Sequence, residues 1–307
     1  MLSAPRPLVP SEQGAALALW QEVFPTPPGY FERYYSADPN YVSGDTLGIW
    51  DDQALVSAIH ICRRPVVWED GALLCGGIAN VATREEYRRQ GLSRQLLAVA
   101  IKKMEDESYH FSLLGTGTPG HYAPLGWASV RRPQAMLTLA SNVVPSTLVW
   151  ETAGQVAPLA ETYSRTPRPL QFLRPAGYFE DWVGWDWRRQ NALIGHSGAG
   201  DYLVLGNADE SDEPLPILEW RARDEAAELS LFRAAVARAH QNGHPRLWLG
   251  TLPQHMGIEA LQSLGEVTRH VEGGDMIRNI TLPQDEYARV AQAYQAGLAV
   301  WWPGDGF

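Results

Sequence analysis

Cysteine is almost missing from this 307-residue chain, which carries only Cys62 and Cys75. Both lie in apolar, strand-like runs, so they read as reduced core thiols. Two such residues build neither a disulfide framework nor a structural metal centre. Basic residues are also few: 25 Lys and Arg stand against 35 Asp and Glu, a formal charge of −10. Phosphate-backbone binding needs a basic footprint, which excludes nucleic acid as the main partner. A cationic amine is compatible with that charge, because acidic clefts concentrate cations; a well-solvated acidic surface is the simpler account. No apolar run approaches the roughly 20 residues of a membrane span. The opening residues Met1–Pro7 show no signal-peptide architecture. The expectation is a cytoplasmic protein with no membrane partner and no metal.

The length suits two domains better than one. Twelve tryptophans need a sizeable core or a groove to cover them, and Trp182, Trp185, Trp187, Trp220 and Trp248 all fall in the second half. Residues 11–24 predict a first helix capped by Ser11. Alternation then predicts strands over Thr46–Trp50, Ala54–Trp68 and Ala72–Thr83, joined by tight polar turns. After Gly91 the period changes: Leu92, Leu96, Ala100 and Met104 recur at helical spacing, broadened by Leu97 and Ile101. Strands follow at Tyr109–Leu114 and Ala135–Ala140. The proline-containing stretch from Pro145 to Arg168 reads as a junction.

Beyond the junction the order partly repeats. A tryptophan-rich helix over 176–190 precedes strands at 192–194, 202–205 and 215–222. A long helix over 224–242, with Asp224 as N-cap, leads to a strand at 247–250 and a short helix at 258–264. Val267–Val271 and Met276–Leu282 read as a hairpin about Gly273 and Gly274, and 284–298 as a last helix. The layout predicts a mixed α/β fold in three parts: a first domain over 1–145, a diverged structural duplicate over 146–282, and a C-terminal helix and tail over 283–307.

The stretch that carries chemistry is Arg88-Arg89-Gln90-Gly91-Leu92-Ser93, followed by Arg94, between the strand ending at Thr83 and the helix beginning after Gly91. The first amides of a helix are unpaired and point outward, so an anion can sit there. Gly91 admits unusual dihedrals and close backbone approach. Ser93 is small, and the arginines add positive charge. A basic glycine turn alone is weak evidence, since an exposed helix start explains it. A strand-to-helix switch is, however, where α/β folds place phosphate groups. One helix and one strand later comes Tyr122-x-x-x-Gly126-Trp127.

Here the chain resembles the GNAT acetyltransferase superfamily. That family's pyrophosphate loop, Arg/Gln-x-x-Gly-x-Gly/Ala, is matched by Arg88-x-x-Gly91-x-Ser93 with serine in the last place, and its Tyr-x-x-x-Gly-Phe/Trp by Tyr122, Gly126 and Trp127. The resemblance is specific over 77–127. More narrowly, Gly77 to Thr83 followed by Tyr87 to Leu92 is similar to the Eis (enhanced intracellular survival) group, which pairs an active GNAT domain with a degenerate one. The resemblance implies two tandem GNAT-like domains, each a mostly antiparallel open sheet flanked by helices, with acetyl-CoA as co-substrate and a small aminoglycoside- or polyamine-like amine as acceptor. It also allows a homo-oligomer. Eis proteins carry a third, sterol-carrier-like domain; only 25 residues follow Leu282, so that domain is expected to be absent or reduced to the last helix and tail.

The resemblance further assigns roles. The backbone of Val81, Ala82 and Thr83 would hold the pantetheine arm and acetyl carbonyl, and Arg88 to Arg94 the pyrophosphate. Tyr122 would be the general acid, a fitting one because a phenol stays protonated at neutral pH; the plainer reading is a tyrosine packed on Trp127. By the Eis precedent the base is the carboxylate of Phe307, against which stands the ordinary fraying of a terminus. His121 beside the acid is a second candidate base, or an exposed loop histidine, and a water-mediated base is a third. His60 reads as a satisfied sheet residue rather than a groove residue, and Glu85 and Glu86 as solvent-facing. In the second half, Trp220 to Leu229 holds no glycine and three carboxylates, so that copy is expected to be catalytically silent and to shape specificity. Rival readings are a GNAT enzyme acting on a protein N-terminus or lysine, and a non-catalytic CoA-binding regulator.

Overall fold

The computed structural model describes residues 1–140, 148–165, 167–208 and 213–307. The expected boundary at 145/146 therefore lies outside the described residues. The chain forms two compact units, one of residues 1–130, 274–291 and Phe307, the other of residues 131–273 and 292–306.

The first unit opens with β1 (Arg6–Pro7), α1 (Gln13–Val23), α2 (Arg33–Ser36), β2 (Thr46–Asp51), β3 (Ala54–Trp68) and β4 (Gly71–Thr83). It continues through α3 (Leu92–Asp106), β5 (Phe111–Gly115), α4 (Pro119–Tyr122) and β6 (Ala128–Ser129). The second unit holds β7 (Arg132–Leu139), β8 (Val149–Thr152), α5 (Ala160–Arg165), α6 (Gly184–Arg189), β9 (Leu193–His196), β10 (Tyr202–Leu205), β11 (Leu215–Arg221), α7 (Glu225–Gln241), β12 (Arg246–Leu249) and β13 (Gly265–Glu272). The chain then adds β14 (Asp275–Asn279) and α8 (Gln284–Gln295).

Each unit is built on a seven-stranded sheet, in the orders β1-β2-β3-β4-β5-β14-β6 and β13-β7-β12-β11-β10-β9-β8. In the first, only β4 and β5 run parallel, as α3 between them requires. The apolar stripe of α3, from Leu92 through Leu96, Leu97, Ala100 and Ile101 to Met104, packs on Leu47, Ile49, Ile59, Ile61 and Ile78 of the sheet. In the second, β11 and β12 are the parallel pair and α7 spans them. The strand–helix–strand unit thus recurs, and the expected pair of mixed α/β, GNAT-like layouts is present. Trp182, Trp187, Trp220 and Trp302 are buried in the second core. Among the described residues no helix is long and apolar enough to cross a membrane.

Several local expectations need correction. The strand near 135–140 belongs to the second sheet, where β7 pairs with both β12 and β13. The expected 267–282 hairpin does not form: β13 runs eight residues along β7, whereas β14 pairs with β5 and β6. Alternating hydrophobicity marks a strand as half-buried but does not choose its neighbour. Ser11 does not cap α1. A 3-10 turn over Pro10–Glu12 comes first, and the Glu12 carboxylate accepts from the Val9 amide at 2.9 Å. The 176–190 helix begins as a π-type segment over Tyr178–Val183 before becoming α6. Asp224 does cap α7, accepting from the Ala227 amide at 2.8 Å.

Candidate active site

The site begins where β4 and β5 part. They are paired through Cys75–Phe111, Gly76–Ser112 and Gly77–Leu113, after which β5 pairs only with β14. From Ile78 onward β4 pairs with β3 alone, leaving one backbone edge of Ile78 to Thr83 facing the opening between the parallel strands. A one-residue bulge bends this run: His60 faces Ala79 and Ala58 faces Ala82, with Asn80 at φ +53°. The bulge and the missing partner together make a strand edge that an extended, amide-bearing ligand can join. Ser57 steadies its end, donating to the Ala82 carbonyl at 2.9 Å and lying 2.8 Å from the Thr83 hydroxyl.

The predicted anion loop follows directly. Arg88 turns back to donate from Nε to the Thr83 carbonyl at 3.2 Å. Arg89 sits at φ +63° and Gly91 at φ +77°, so two left-handed residues bend the chain into α3. A Cβ at Gly91 would meet nothing within 4 Å, so glycine is required there by its dihedrals rather than by crowding. No side chain caps the helix, and Gln95 is the first amide bonded back, to the Gly91 carbonyl at 3.1 Å. The amides of Leu92, Ser93 and Arg94 therefore have no acceptor within the helix. Arg89, Gly91, Ser93, Arg94 and His121 line an open cavity of about 440 Å³ at this helix start. Gln90 and Leu92 flank it differently: Gln90 is exposed and reaches the Glu86 carbonyl at 3.4 Å, whereas Leu92 is buried in the core.

Tyr122 ends α4. Its ring meets Trp127 edge-on at 6.3 Å and 79°, so the packing expected of a loop tyrosine is present. Burial pushes its pKa up, and a hydrogen bond to the Thr116 side chain offsets part of that rise. The Trp127 indole donates to Ser112 Oγ at 3.3 Å, tying this loop to β5. At the mouth of the opening, a Cβ on Gly77 would lie 2.5 Å from Cε2 and Cζ of Phe307. The Phe307 ring thus rests on the backbone of β4 where the parallel pairing ends.

Against this geometry, the family model of the acetyltransferase (GNAT) domain matches residues 4–130. Those residues are a GNAT acetyltransferase domain. The chain is 29% identical over 86 residues to the aminoglycoside 2'-N-acetyltransferase of Mycolicibacterium fortuitum, over 27% of this chain and 44% of that protein. It therefore spans less than half the length of that curated relative. Solved structures resemble nearly the whole chain. A probable N-acyltransferase from Enterococcus faecalis aligns with TM-score 0.71 at 15% identity, covering 91% of this chain and 73% of its own. Eis1 from Mycobacterium abscessus aligns with TM-score 0.69 at 13%, covering 91% and 74%. A GCN5-related N-acetyltransferase from Kribbella flavida aligns with TM-score 0.67 at 18%, covering 91% and 71%. At these identities the structures establish the fold; with the domain match they support an enzyme of the acyltransferase class.

Within the GNAT domain, other side chains take places the sequence left open. His121, a candidate base, faces the helix start instead: its Nε2 is 3.2 Å from Ser93 Oγ. Burial, with Arg94 adding to it, lowers its pKa. His60 is a buried sheet residue as expected, 2.9 Å from the Thr46 hydroxyl and ringed by Trp20, Tyr34, Tyr35 and Tyr41. Glu85 and Glu86 are exposed, and Cys62 and Cys75 are free and buried. Sequence reasoning missed Arg278 on β14, whose guanidinium bonds the Leu125 carbonyl and lies 5.5 Å from the Trp127 ring centre. No local signal reveals a strap on the Tyr122 loop that comes from 153 residues downstream.

In the second unit the matching helix start carries its own carboxylates, one of which caps it. Asp224 occupies the Ala227 amide. Glu228, fully buried, accepts from the Trp220 indole at 2.8 Å, from the Gln254 and His255 amides at 2.7 Å, and from the Met256 amide at 3.0 Å. Negative charge fixed there opposes an anionic ligand.

Proposed function

We propose that this protein is an acetyl-CoA-dependent N-acetyltransferase acting on the amine of a small, aminoglycoside- or polyamine-like molecule. The observation that carries the reading is the parting of β4 from β5 beyond Gly77, with an uncapped, arginine-flanked helix start directly after the free strand. Acetyl-CoA fits that arrangement in order along its length. The amides of Leu92, Ser93 and Arg94, with Arg89 and Arg94 beside them, suit its pyrophosphate. The open edge of Val81, Ala82 and Thr83 suits its amide-bearing arm and acetyl carbonyl.

In the reaction the amine nitrogen attacks the thioester carbonyl carbon, the C–S bond breaks, and the departing sulfur takes a proton. Tyr122 is the proposed donor of that proton, and its raised pKa keeps the phenol protonated until then. The proton released by the amine goes to a base, for which Phe307 is proposed through its carboxylate; the ring contact at Gly77 supports that position. The second unit, with its helix start capped by Asp224 and flanked by further carboxylates, is proposed to serve acceptor specificity rather than donor binding. The formal charge of −10 favours a cationic acceptor, and the likeness to the aminoglycoside 2'-N-acetyltransferase of Mycolicibacterium fortuitum supports an amino sugar.

The test is product formation from acetyl-CoA with separate panels of aminoglycosides, polyamines and peptides bearing a free N-terminus or lysine, read by mass spectrometry. Acetylated small amines are expected. Product on peptides alone would overturn the acceptor class, and CoA binding without product on any panel would favour the regulatory reading.

A further inference from the structure

Ser93 and His121 come from different elements and meet at the donor cavity. Ser93 lies in the first turn of α3, among the amides that lack an acceptor within the helix. His121 lies on α4, one residue before Tyr122. Their side chains are 3.2 Å apart, Oγ to Nε2, and both line the cavity with Arg89, Gly91 and Arg94. We propose that Ser93 and His121 act as a two-step hydrogen-bond relay that recognises the pyrophosphate of the donor. The proposal rests on the donor reading above and adds to it a side-chain role for Ser93 and a recognition role for His121.

Protons limit what this pair can do. A serine hydroxyl has one, which it gives either to an imidazole nitrogen or to a phosphate oxygen. An anion at the helix start attracts that proton, and Ser93 gives it up more readily when its own oxygen accepts from another donor. His121 supplies one: the tautomer with hydrogen on Nε2 donates to Ser93 Oγ, and Ser93 Oγ–H then points at the pyrophosphate. Charge supports the arrangement. With Arg89 and Arg94 on the same wall, a cationic histidine would add a third like charge; burial and Arg94 both favour the neutral ring. A neutral ring with its proton on Nε2 is sufficient for the relay, and the two arginines supply the charge. The relay also explains a hydroxyl at a position where alanine or glycine would leave the same room for the helix start.

Calorimetric titration of the full chain with CoA, and separately with inorganic pyrophosphate, tests this. A hydrogen bond to a charged acceptor implies that Ser93→Ala weakens CoA binding roughly tenfold to a hundredfold. His121→Ala should give a similar loss, and the double variant little more than either single one, because the two act as a unit. His121→Gln keeps an N–H able to reach Ser93 and should recover most of the affinity, which separates the relay from loss of packing; melting temperature checks that each variant folds. Additive losses, or variants that bind CoA as tightly as the unmodified chain, would overturn the relay and leave the donor reading intact. An unmodified chain that does not bind CoA would overturn both.

Discussion

Replacing Gly77 by alanine adds one methyl group at the last residue of β4 that pairs with β5 and tests whether the position of Phe307 matters. The new Cβ would stand 2.5 Å from Cε2 and Cζ of the Phe307 ring and 2.7 Å from Cδ2. Carbon atoms in ordinary contact keep about 3.5 Å, so the ring has to retreat by about 1 Å. Gly77 is not among the left-handed glycines, so the methyl group brings no backbone penalty of its own. If the Phe307 carboxylate serves as the proposed base, a misplacement of about 1 Å costs on the order of a hundredfold in rate. Crowding of this kind costs stability only about 1–3 kcal/mol. Gly77→Ala is therefore expected to lower kcat about a hundredfold at saturating acetyl-CoA, with a modest fall in the urea midpoint. Gly77→Ala/Phe307→Ala, which removes the obstructing ring while retaining a terminal carboxylate, should recover part of that loss. One glycine added after Phe307 should cost as much as Gly77→Ala. Turnover of Gly77→Ala at the unmodified rate would refute a role for the position of Phe307, and an added glycine that changes nothing would dismiss the carboxylate.

Four further outcomes are expected. Tyr122→Phe should lower kcat by about 10²- to 10⁴-fold, the usual share of a general acid, with CoA affinity little changed by titration. Because burial raises the Tyr122 pKa and the proposed acid role uses the protonated form, kcat of the unmodified enzyme should show no alkaline loss up to the ordinary phenol value of about 10. Arg278→Met removes the grip on the Leu125 carbonyl and should lower kcat roughly tenfold, near the worth of one hydrogen bond, without affecting CoA titration. His60 is held neutral by burial, with its pKa lowered to about 3. Protonation then favours the unfolded chain, so His60 contributes a stability loss of about 1.4 kcal/mol per pH unit as pH falls from about 6.5 towards 3. His60→Asn should flatten that acid limb in urea titrations, and an unchanged slope would assign the loss to other groups.

The features legible in the sequence were those that neighbouring residues decide. The stripe from Leu92 to Met104 dictates one buried helix face, the Arg88 to Ser93 turn marks where the strand gives way to that helix, and Asp224 announces its own cap. Tyr122 was legible as a candidate through its spacing to Gly126 and Trp127. What the sequence hid was decided at long range. Nothing in Ala135 to Leu139 or in Met276 to Asn279 says which sheet each will join, because a half-buried strand satisfies either sheet equally well. Arg278 was hidden with its strand. The place of His121 depends on α4 lying against the start of α3, a tertiary fact, so its closeness in sequence to Tyr122 pointed to the acid rather than to Ser93.

The late arrival of β14 bears on biosynthesis. Everything that defines the GNAT domain by sequence has been synthesised by Val130, yet β5 and β6 then lack the strand that lies between them. Residues 131–279 must still be made, which at about 5–20 residues per second takes roughly 7–30 s. For that interval the catalytic half is a nascent chain with two open strand edges, the kind of surface on which chaperones act and from which misassembly starts. The strand that closes the gap also brings Arg278 to the Tyr122 loop, so a newly made copy gains that support only when its folding is nearly complete.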